Sequence, residues 1–249
     1  RILLAEDNLV NQKVFLQRLK QHGLNCDVVL NGEEATKAAL ENNYDLIFMD
    51  CQMPIMDGYT ASKCIRLNQK RFHSIIVAIT ANAMEDDRKN CMVSGMDDYL
   101  SKPVTIESLQ QILQKYLKLC EDKLDKKENE IIANNENRDT PETDNLKSVY
   151  ENLENELGFN HDEAKEIVQM FLDSLPESIL KMRQALECKD YVKIAKESHQ
   201  LKGASANVRL KFFNKAILNL EKATKKTIVN EEEIFHLISE IENMLKSII

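Results

Sequence analysis

The sequence lacks several features that would point to whole classes of protein. No apolar run approaches the roughly 18 residues of a membrane-spanning helix, and the opening run Ile2–Ala5 is too short for a secretory signal. The six cysteines include no C-x-x-C pair, which disfavours zinc ribbons and redox motifs. A net charge of −8 disfavours a nucleic-acid-binding protein. We therefore expect a reduced, cytoplasmic protein that contacts neither nucleic acid nor membrane.

An initiating Met is also absent, and the chain opens inside a predicted strand. We expect it to be a fragment of a longer parent, with any membrane anchor in the missing part. Its 249 residues suffice for two ordinary domains.

Residues 1–119 alternate between short apolar runs and amphipathic stretches. The apolar runs are Ile2–Ala5, Cys26–Leu30, Leu46–Met49, Ile75–Ile79 and a segment around Tyr99-Leu100. The helical stretches between them begin near Val10, Glu33, Tyr59, Met84 and Ile106. Five βα repeats predict an α/β doubly wound domain with a five-stranded parallel sheet, of the flavodoxin-like kind.

The second half has a different pattern. Residues 120–146 are charged and amide-rich, and they predict a flexible linker, with a helical continuation as the alternative. Every periodic segment of residues 147–249 is helical, which predicts an all-α bundle of four helices with extra ones. The predicted helices are 147–157, 161–173, 177–188, 190–207, 210–225 and 231–248, with Pro176 before the start of the third.

Five polar residues are predicted to meet at the carboxyl edge of the sheet. They are Glu6 and Asp7 after the first strand, Asp50 ending the third, Thr80 ending the fourth and Lys102 after the fifth. This edge is where a doubly wound sheet binds ligands. Three carboxylates there would repel one another, and a divalent cation such as Mg²⁺ would relieve the repulsion. Acids, metal, hydroxyl and ammonium together are typical of phosphoryl transfer.

Four segments of the first half carry more specific information: ILLAEDN at 2–8, LIFMDCQMPIMDG at 46–58, AITANA at 78–83 and DDYLSKP at 97–103. They resemble the receiver domains of two-component signalling over the whole of residues 1–119. The resemblance implies that Asp50 is the phosphoacceptor. It also implies that Mg²⁺ (or Mn²⁺) is bound by Glu6, Asp7, Asp50 and the backbone carbonyl of Gln52.

The same resemblance implies roles for residues on the last two strands. Thr80 and Lys102 would contact the phosphoryl oxygens, and Tyr99 would turn inward with Thr80 as an aromatic switch. The Lys102-Pro103 peptide bond is often cis in such domains.

One of the five histidines, His199, has distinctive neighbours. On the predicted helix it points opposite to Leu201, toward solvent. Its face also carries Ala195, Lys202, Gly203 and Ala206. A patch of small residues would let another protein's loop approach the imidazole, and Lys202 would neutralise a phosphoryl group. Geometry alone leaves open an ordinary exposed histidine.

The string SHQLKGASANV at 198–208 contains H-x-x-K-G followed by small residues. It resembles the signature of histidine-phosphotransfer (HPt) domains, which implies that His199 is a phosphoacceptor. Asn207 fits that pattern. Arg209 stands where small residues are common, so we expect a local difference at the end of the helix.

The two resemblances imply the C-terminal part of a hybrid sensor histidine kinase. Asp50 would take a phosphoryl group from a phosphohistidine on the kinase core of the same parent. It would pass the group to His199, which would donate it to a downstream response-regulator receiver. The fragment would be a phosphoryl carrier without a kinase core, which leaves open whether it counts as an enzyme.

Other functions stay open. One is a phosphorylation-independent interaction or regulatory module. Another is a Mg²⁺-dependent phosphohydrolase with Asp50 as nucleophile, which is disfavoured because Gln52 stands where a second carboxylate would be needed. A response regulator with DNA output is weaker, because no basic recognition helix follows the receiver.

Overall fold

The computed structural model describes residues 1–69, 73–80, 85–117, 146–226 and 229–248. In these ranges the chain forms β1 (Ile2–Ala5), α1 (Leu9–Gln21), β2 (Asp27–Val29), α2 (Gly32–Glu41), β3 (Leu46–Asp50), α3 (Gly58–Asn68), β4 (Ile75–Thr80), α4 (Glu85–Val93), β5 (Asp98–Ser101), α5 (Ile106–Leu117), α6 (Leu146–Leu157), α7 (His161–Glu187), α8 (Tyr191–Asn207), α9 (Lys211–Thr224) and α10 (Glu231–Ile248). Of the predicted linker at 120–146, only Leu146 lies within the described residues, and it begins α6. Residues 81–83 of the AITANA segment also lie outside them.

The five strands form one parallel sheet in the order β2-β1-β3-β4-β5. Strands β3 and β4 are apolar on both faces because helices cover both sides of the sheet. One side packs against α1 and α5, and the other against α2, α3 and α4. The predicted five-stranded doubly wound domain is confirmed.

Helix α1 contributes to two hydrophobic cores. The Asn8 side chain caps its N-terminus and accepts a hydrogen bond from the backbone N–H of Val10 at 3.0 Å. Phe15 and Leu19 pack on the sheet. Val10 and Val14 are buried in the core of the helical half. The two halves of the chain therefore pack against each other through α1, and each buried valine contributes about 1.5–3 kcal/mol to that contact.

Polar contacts surround the two valines at this interface. They are Asp7 with Gln200, Asn11 with Asn207, Lys13 with Glu166, and Gln17 with the carbonyl of Gly158. Each pair joins α1, or the residues just before it, to the helical half. The interface thus continues directly into the carboxyl edge of the sheet.

The helical half is a bundle of α6 to α10 around one core, in which the rings of Phe171 and Phe213 meet edge to face at 5.8 Å. The predicted helices 161–173 and 177–188 were wrong as separate elements, because α7 runs through Pro176. A proline inside a helix costs about 3 kcal/mol. Leu175 and Ile179, on either side of the exposed Pro176, are buried in the same core, and this packing offsets the cost.

The C-terminal end of helix α8 has Arg209 at a position where small residues are common, and its backbone differs there as expected. Arg209 takes a left-handed conformation, with φ of 61°. The backbone N–H of Leu210 donates to Ser205 O at 3.1 Å, which closes a Schellman turn. The conformation costs a residue with a side chain about 1–2 kcal/mol, and the Arg209 guanidinium gains an ion pair with Glu156 of α6.

None of the helices in the described ranges combines the length and apolar character that crossing a bilayer requires.

Candidate functional site: two facing phosphoacceptor candidates

The three predicted acids converge at the carboxyl edge of the sheet. Glu6 and Asp7 directly follow β1, and Asp50 is the last residue of β3. Glu6 and Asp50 are buried and Asp7 is half-buried. One carboxylate oxygen from each lies within 4.8 Å of those of the other two. These strand ends thus form a compact all-oxygen site.

Lys102, which follows β5, joins two of the acids. Its Nζ donates to Glu6 Oε2 at 2.8 Å and to Asp50 Oδ2 at 2.7 Å. Burial acts to lower the pKa of Lys102, but the carboxylates of Asp50 and Glu6 outweigh it and hold the pKa above its ordinary value. The Lys102–Pro103 peptide bond is cis.

The acids carry more negative charge than Lys102 can neutralise. Burial raises the pKa of Asp50, an effect that the Lys102 ammonium opposes. Burial and then the neighbouring Glu6 raise the pKa of Asp7 to about 6. Three carboxylates and one ammonium leave a formal charge of −2 in a largely buried place. Their chemistry fits a hard divalent cation such as Mg²⁺, which binds through one or two carboxylates.

The other predicted receiver residues lie on or just after strands β3, β4 and β5. Thr80 is buried at the end of β4. Tyr99 in β5 is half-buried, with the Arg88 guanidinium 5.5 Å from its ring centroid. Gln52 is exposed, and its backbone N–H donates to Asp50 Oδ1 at 3.2 Å.

His199 lies on α8 with only 17% of its side chain exposed. The prediction that it points to solvent was therefore wrong. The helical spacing identified its face correctly as opposite to Leu201, but the receiver half and Glu221 of α9 cover that face. Its Nδ1 lies 3.0 Å from Glu221 Oε1.

Glu221 is a site residue that the sequence analysis missed. Its buried carboxylate contacts His199, Lys202 (Nζ to Oε2, 2.6 Å) and Lys225 (Nζ to Oε1, 2.7 Å). Although burial acts to raise the pKa of Glu221, the hydrogen bonds from these three side chains hold it well below its ordinary value. An ionised carboxylate only accepts hydrogen bonds, so His199 Nδ1 donates to Glu221, and in the neutral tautomer that has this bond the lone pair is on Nε2.

The sequence does contain a pattern that could have identified Glu221 as a buried residue. Ile217, Leu220 and Thr224 lie at helical spacing around it and are buried, so Glu221 is a lone acid within an apolar stripe. An acid in that position requires buried partners.

His199 faces the receiver site across a shared cavity of about 560 Å³. Gln52, Met53 and Ile55, from the loop after Asp50, line it on the receiver side. Ala195, Lys196, His199 and Lys225 line it on the bundle side. His199 and the loop that follows Asp50 thus border one space between the halves.

A chain of hydrogen bonds connects the bundle to Asp50. Asn207 Nδ2 donates to Asn11 Oδ1 at 2.9 Å, and Asn11 Nδ2 donates to Glu6 Oε1 at 2.9 Å. Glu6 Oε2 then accepts from Lys102, which also binds Asp50. Contact between the halves is therefore linked directly to the acid cluster.

Gly203 of α8 lies against the receiver half. A Cβ atom at this position would lie 3.7 Å from Lys102 Cδ and 3.8 Å from Asn11 Nδ2, ordinary contact distances. The patch of small residues is thus in contact with the chain's own receiver half.

Two protein families match the chain, one for each half. A family model described as the response regulator receiver domain matches residues 2–114, and a model of the Hpt domain matches residues 166–248.

Part of the chain also matches known proteins. Hybrid signal transduction histidine kinase B of Dictyostelium discoideum is 43% identical over 129 residues, covering 47% of this chain and 7% of that protein. The chain thus spans less than a tenth of that relative.

Two solved structures are also similar. The receiver domain of sensor histidine kinase PA1611 from Pseudomonas aeruginosa, solved with a magnesium ion in its active site cleft, is 43% identical (47% of this chain, 97% of that one, TM-score 0.44). A chain from the co-crystal of Saccharomyces cerevisiae Ypd1, a histidine phosphotransfer protein, with the receiver domain of its downstream response regulator Ssk1 is 33% identical (46% and 86%, TM-score 0.43).

Proposed function

Since the chain belongs to the response regulator receiver family over residues 2–114 and to the Hpt family over residues 166–248, we propose that it carries two successive stations of a phosphorelay. Asp50 accepts a phosphoryl group and passes it to His199. The observation that carries this proposal is the cavity shared by His199 and the loop after Asp50. Because His199 and the loop after Asp50 line one cavity within a single chain, we propose that the transfer is intramolecular.

The transfer needs a nucleophile and a leaving group, and both are present. The Nε2 lone pair of neutral His199 attacks the phosphorus of the aspartyl phosphate. A P–N bond forms, the P–O bond to Asp50 breaks, and Asp50 leaves as a carboxylate with the electron pair of that bond. The imidazole gains positive charge, which Glu221 at Nδ1 offsets.

The remaining receiver side chains act on the phosphoryl group and the leaving carboxylate. Lys102, already bound to Asp50 Oδ2, stabilises the carboxylate as it departs. Thr80 contacts a phosphoryl oxygen, and Tyr99 turns inward with it as the switch. On the bundle side, Lys202 neutralises phosphoryl charge once the group is on His199.

A divalent cation, Mg²⁺ or Mn²⁺, completes the receiver site. Glu6, Asp7 and Asp50 would hold it, together with the backbone carbonyl of Gln52. The clustering of the three carboxylates supports this assignment. When bound, the cation neutralises the charge on the phosphoryl oxygens.

The upstream and downstream partners follow from this chemistry. A phosphohistidine on a histidine kinase core, in the same parent protein, loads Asp50, and the receiver domain of a separate response regulator unloads His199. We place the receiver domain at residues 1–119, the linker at 120–146 and the HPt domain at 147–249. A cytoplasmic location is supported by the thiols of Cys26, Cys51, Cys64 and Cys188, which form no disulfide within the described part of the chain.

The test uses a ³²P-labelled phosphohistidine donor with the wild-type chain, Asp50→Ala and His199→Ala. Wild type should carry label on both residues, His199→Ala on Asp50 alone, and Asp50→Ala on neither. Label on His199 of Asp50→Ala, with Asp50 unlabelled in wild type, would overturn the proposed order.

A further inference from the structure

One contact joins the bundle directly to a proposed metal ligand of the receiver. Gln200 follows His199 on α8, and its Nε2 donates to Asp7 Oδ2 at 2.6 Å. Both side chains are half-buried. This side-chain amide from the bundle thus holds a carboxylate of the acid cluster in one orientation.

A carboxylate has two oxygens, and the Gln200 contact uses one of them. The amide fixes the rotation of the Asp7 side chain and leaves Oδ1 available to a cation. Partners of this kind, which orient a metal ligand without touching the metal, typically change metal affinity 10- to 100-fold.

The negative charge of the acid cluster also favours cation binding when the bundle is docked. The bundle covers a cluster with a formal charge of −2, which is unfavourable to bury. A divalent cation would remove that charge, so the covered site gains more from the cation than a site open to water would.

We propose that Gln200 is a positioning residue for the receiver's metal ligand Asp7, so that docking of the bundle and binding of Mg²⁺ strengthen each other. The inference rests on the metal site of the proposed function. Linkage requires the effect to be reciprocal: whatever factor docking adds to metal affinity, the metal adds to docking. Phosphoryl transfer then occurs when both cation and bundle are in place.

The experiment measures Mn²⁺ affinity of the full chain from the EPR signal of free Mn²⁺, with Mg²⁺ as competitor. Gln200→Ala should bind Mn²⁺ about tenfold more weakly than wild type. Gln17→Ala is the matched control, because Gln17 also crosses the interface but bonds to the Gly158 carbonyl at 3.0 Å, away from the acids. Its Mn²⁺ affinity should equal that of wild type.

One further variant separates a failure of the metal site from a failure of the coupling. Asp7→Asn should abolish tight binding, and a wild-type chain without any Asp7-dependent Mn²⁺ site would contradict the metal site itself. With that site present, equal or tighter binding by Gln200→Ala would overturn the coupling alone, since tighter binding means that Gln200 competes with the cation.

A double-mutant cycle tests the link to docking. Val14→Asp places a charge in the buried interface and should weaken Mn²⁺ binding at least as much as Gln200→Ala does. Adding Gln200→Ala to Val14→Asp should then have no further effect. An additive loss would overturn the link to docking. If Val14→Asp does not fold, the comparison of Gln200→Ala with Gln17→Ala decides.

Discussion

Replacing Glu221 tests the assignment of His199 Nε2 as the nucleophile. Glu221 is only 4% exposed and accepts a hydrogen bond from His199 Nδ1, which lies 3.0 Å from Oε1. A hydrogen bond to a charged group is worth about 1.5–3 kcal/mol, and each 1.36 kcal/mol on a barrier is a factor of ten in rate. Because the imidazole becomes positive during transfer, we expect most of this energy to be lost from the transition state.

Two substitutions give a graded outcome. Glu221→Gln keeps an acceptor for the Nδ1 proton but loses the charge, so transfer from Asp50 to His199 should slow about tenfold. Glu221→Ala loses both, and we expect about 100-fold slower transfer. Rapid-quench measurement of label on His199, after loading Asp50, gives these rates directly.

Glu242→Gln is the matched control. Glu242 also pairs with two cations of the bundle, Arg183 at 2.6 Å and Lys246 at 2.8 Å, but it contacts neither His199 nor the receiver. Its transfer rate should match wild type. A folded Glu221→Ala protein, verified by circular dichroism, that transfers at the wild-type rate would refute the proposed role of the carboxylate.

Four further predictions concern the metal site, the interface and two helices. Because the pKa of Asp7 is raised to about 6, protonation competes with the metal below that pH. Because burial also raises the pKa of the second ligand, Asp50, Mn²⁺ affinity should fall as the pH is lowered toward 6 and by at least tenfold per unit below it; a flat titration down to pH 4 would contradict this. Val14→Asp should slow transfer to His199 more than tenfold, about the cost of one lost valine contact, while Asp50 still accepts label. A transfer rate equal to that of wild type would show that this interface does not contribute to the reaction. Gly203→Ala should raise the free energy of unfolding in urea by about 0.5–1 kcal/mol, because the added Cβ makes only ordinary contacts. A lower free energy of unfolding would mean that the two halves approach each other too closely for a side chain. Pro176→Ala should raise the free energy of unfolding by about 1–3 kcal/mol, and a loss would contradict a continuous α7.

The acid cluster was predictable because strand order determines where strand ends meet. Glu6, Asp7 and Asp50 follow apolar runs whose length and composition indicate buried parallel strands, so their convergence needed no knowledge of side-chain packing. The position of Lys102 at this edge was predictable in the same way, because it follows the fifth strand.

The bundle was less predictable because helix periodicity indicates a face but not what covers it. The spacing placed His199 correctly opposite Leu201, yet the covering groups come from α9 and from the other half of the chain. Glu221 was missed because the rotation of α9 against α8 depends on packing distant in sequence.

The interface shows a similar limit. Val10 and Val14 continue the apolar pattern of α1, which is satisfied equally by burial against the sheet or against a second domain. The low helix propensity of Pro176 predicts a boundary between two helices. The buried residues before and after it keep α7 continuous.

The most direct test of the relay follows the chemical form of the label over time in a single wild-type chain. Acyl phosphate on Asp50 is labile to base, whereas phosphohistidine is stable to base and labile to acid. After one rapid loading step, we expect base-labile label to appear first and to decay as base-stable label on His199 rises at the same rate. This rate should not change over a hundredfold range of protein concentration, because both stations belong to one docked chain. Base-stable label that appears without a base-labile precursor, or a transfer rate proportional to concentration, would contradict intramolecular transfer from Asp50 to His199.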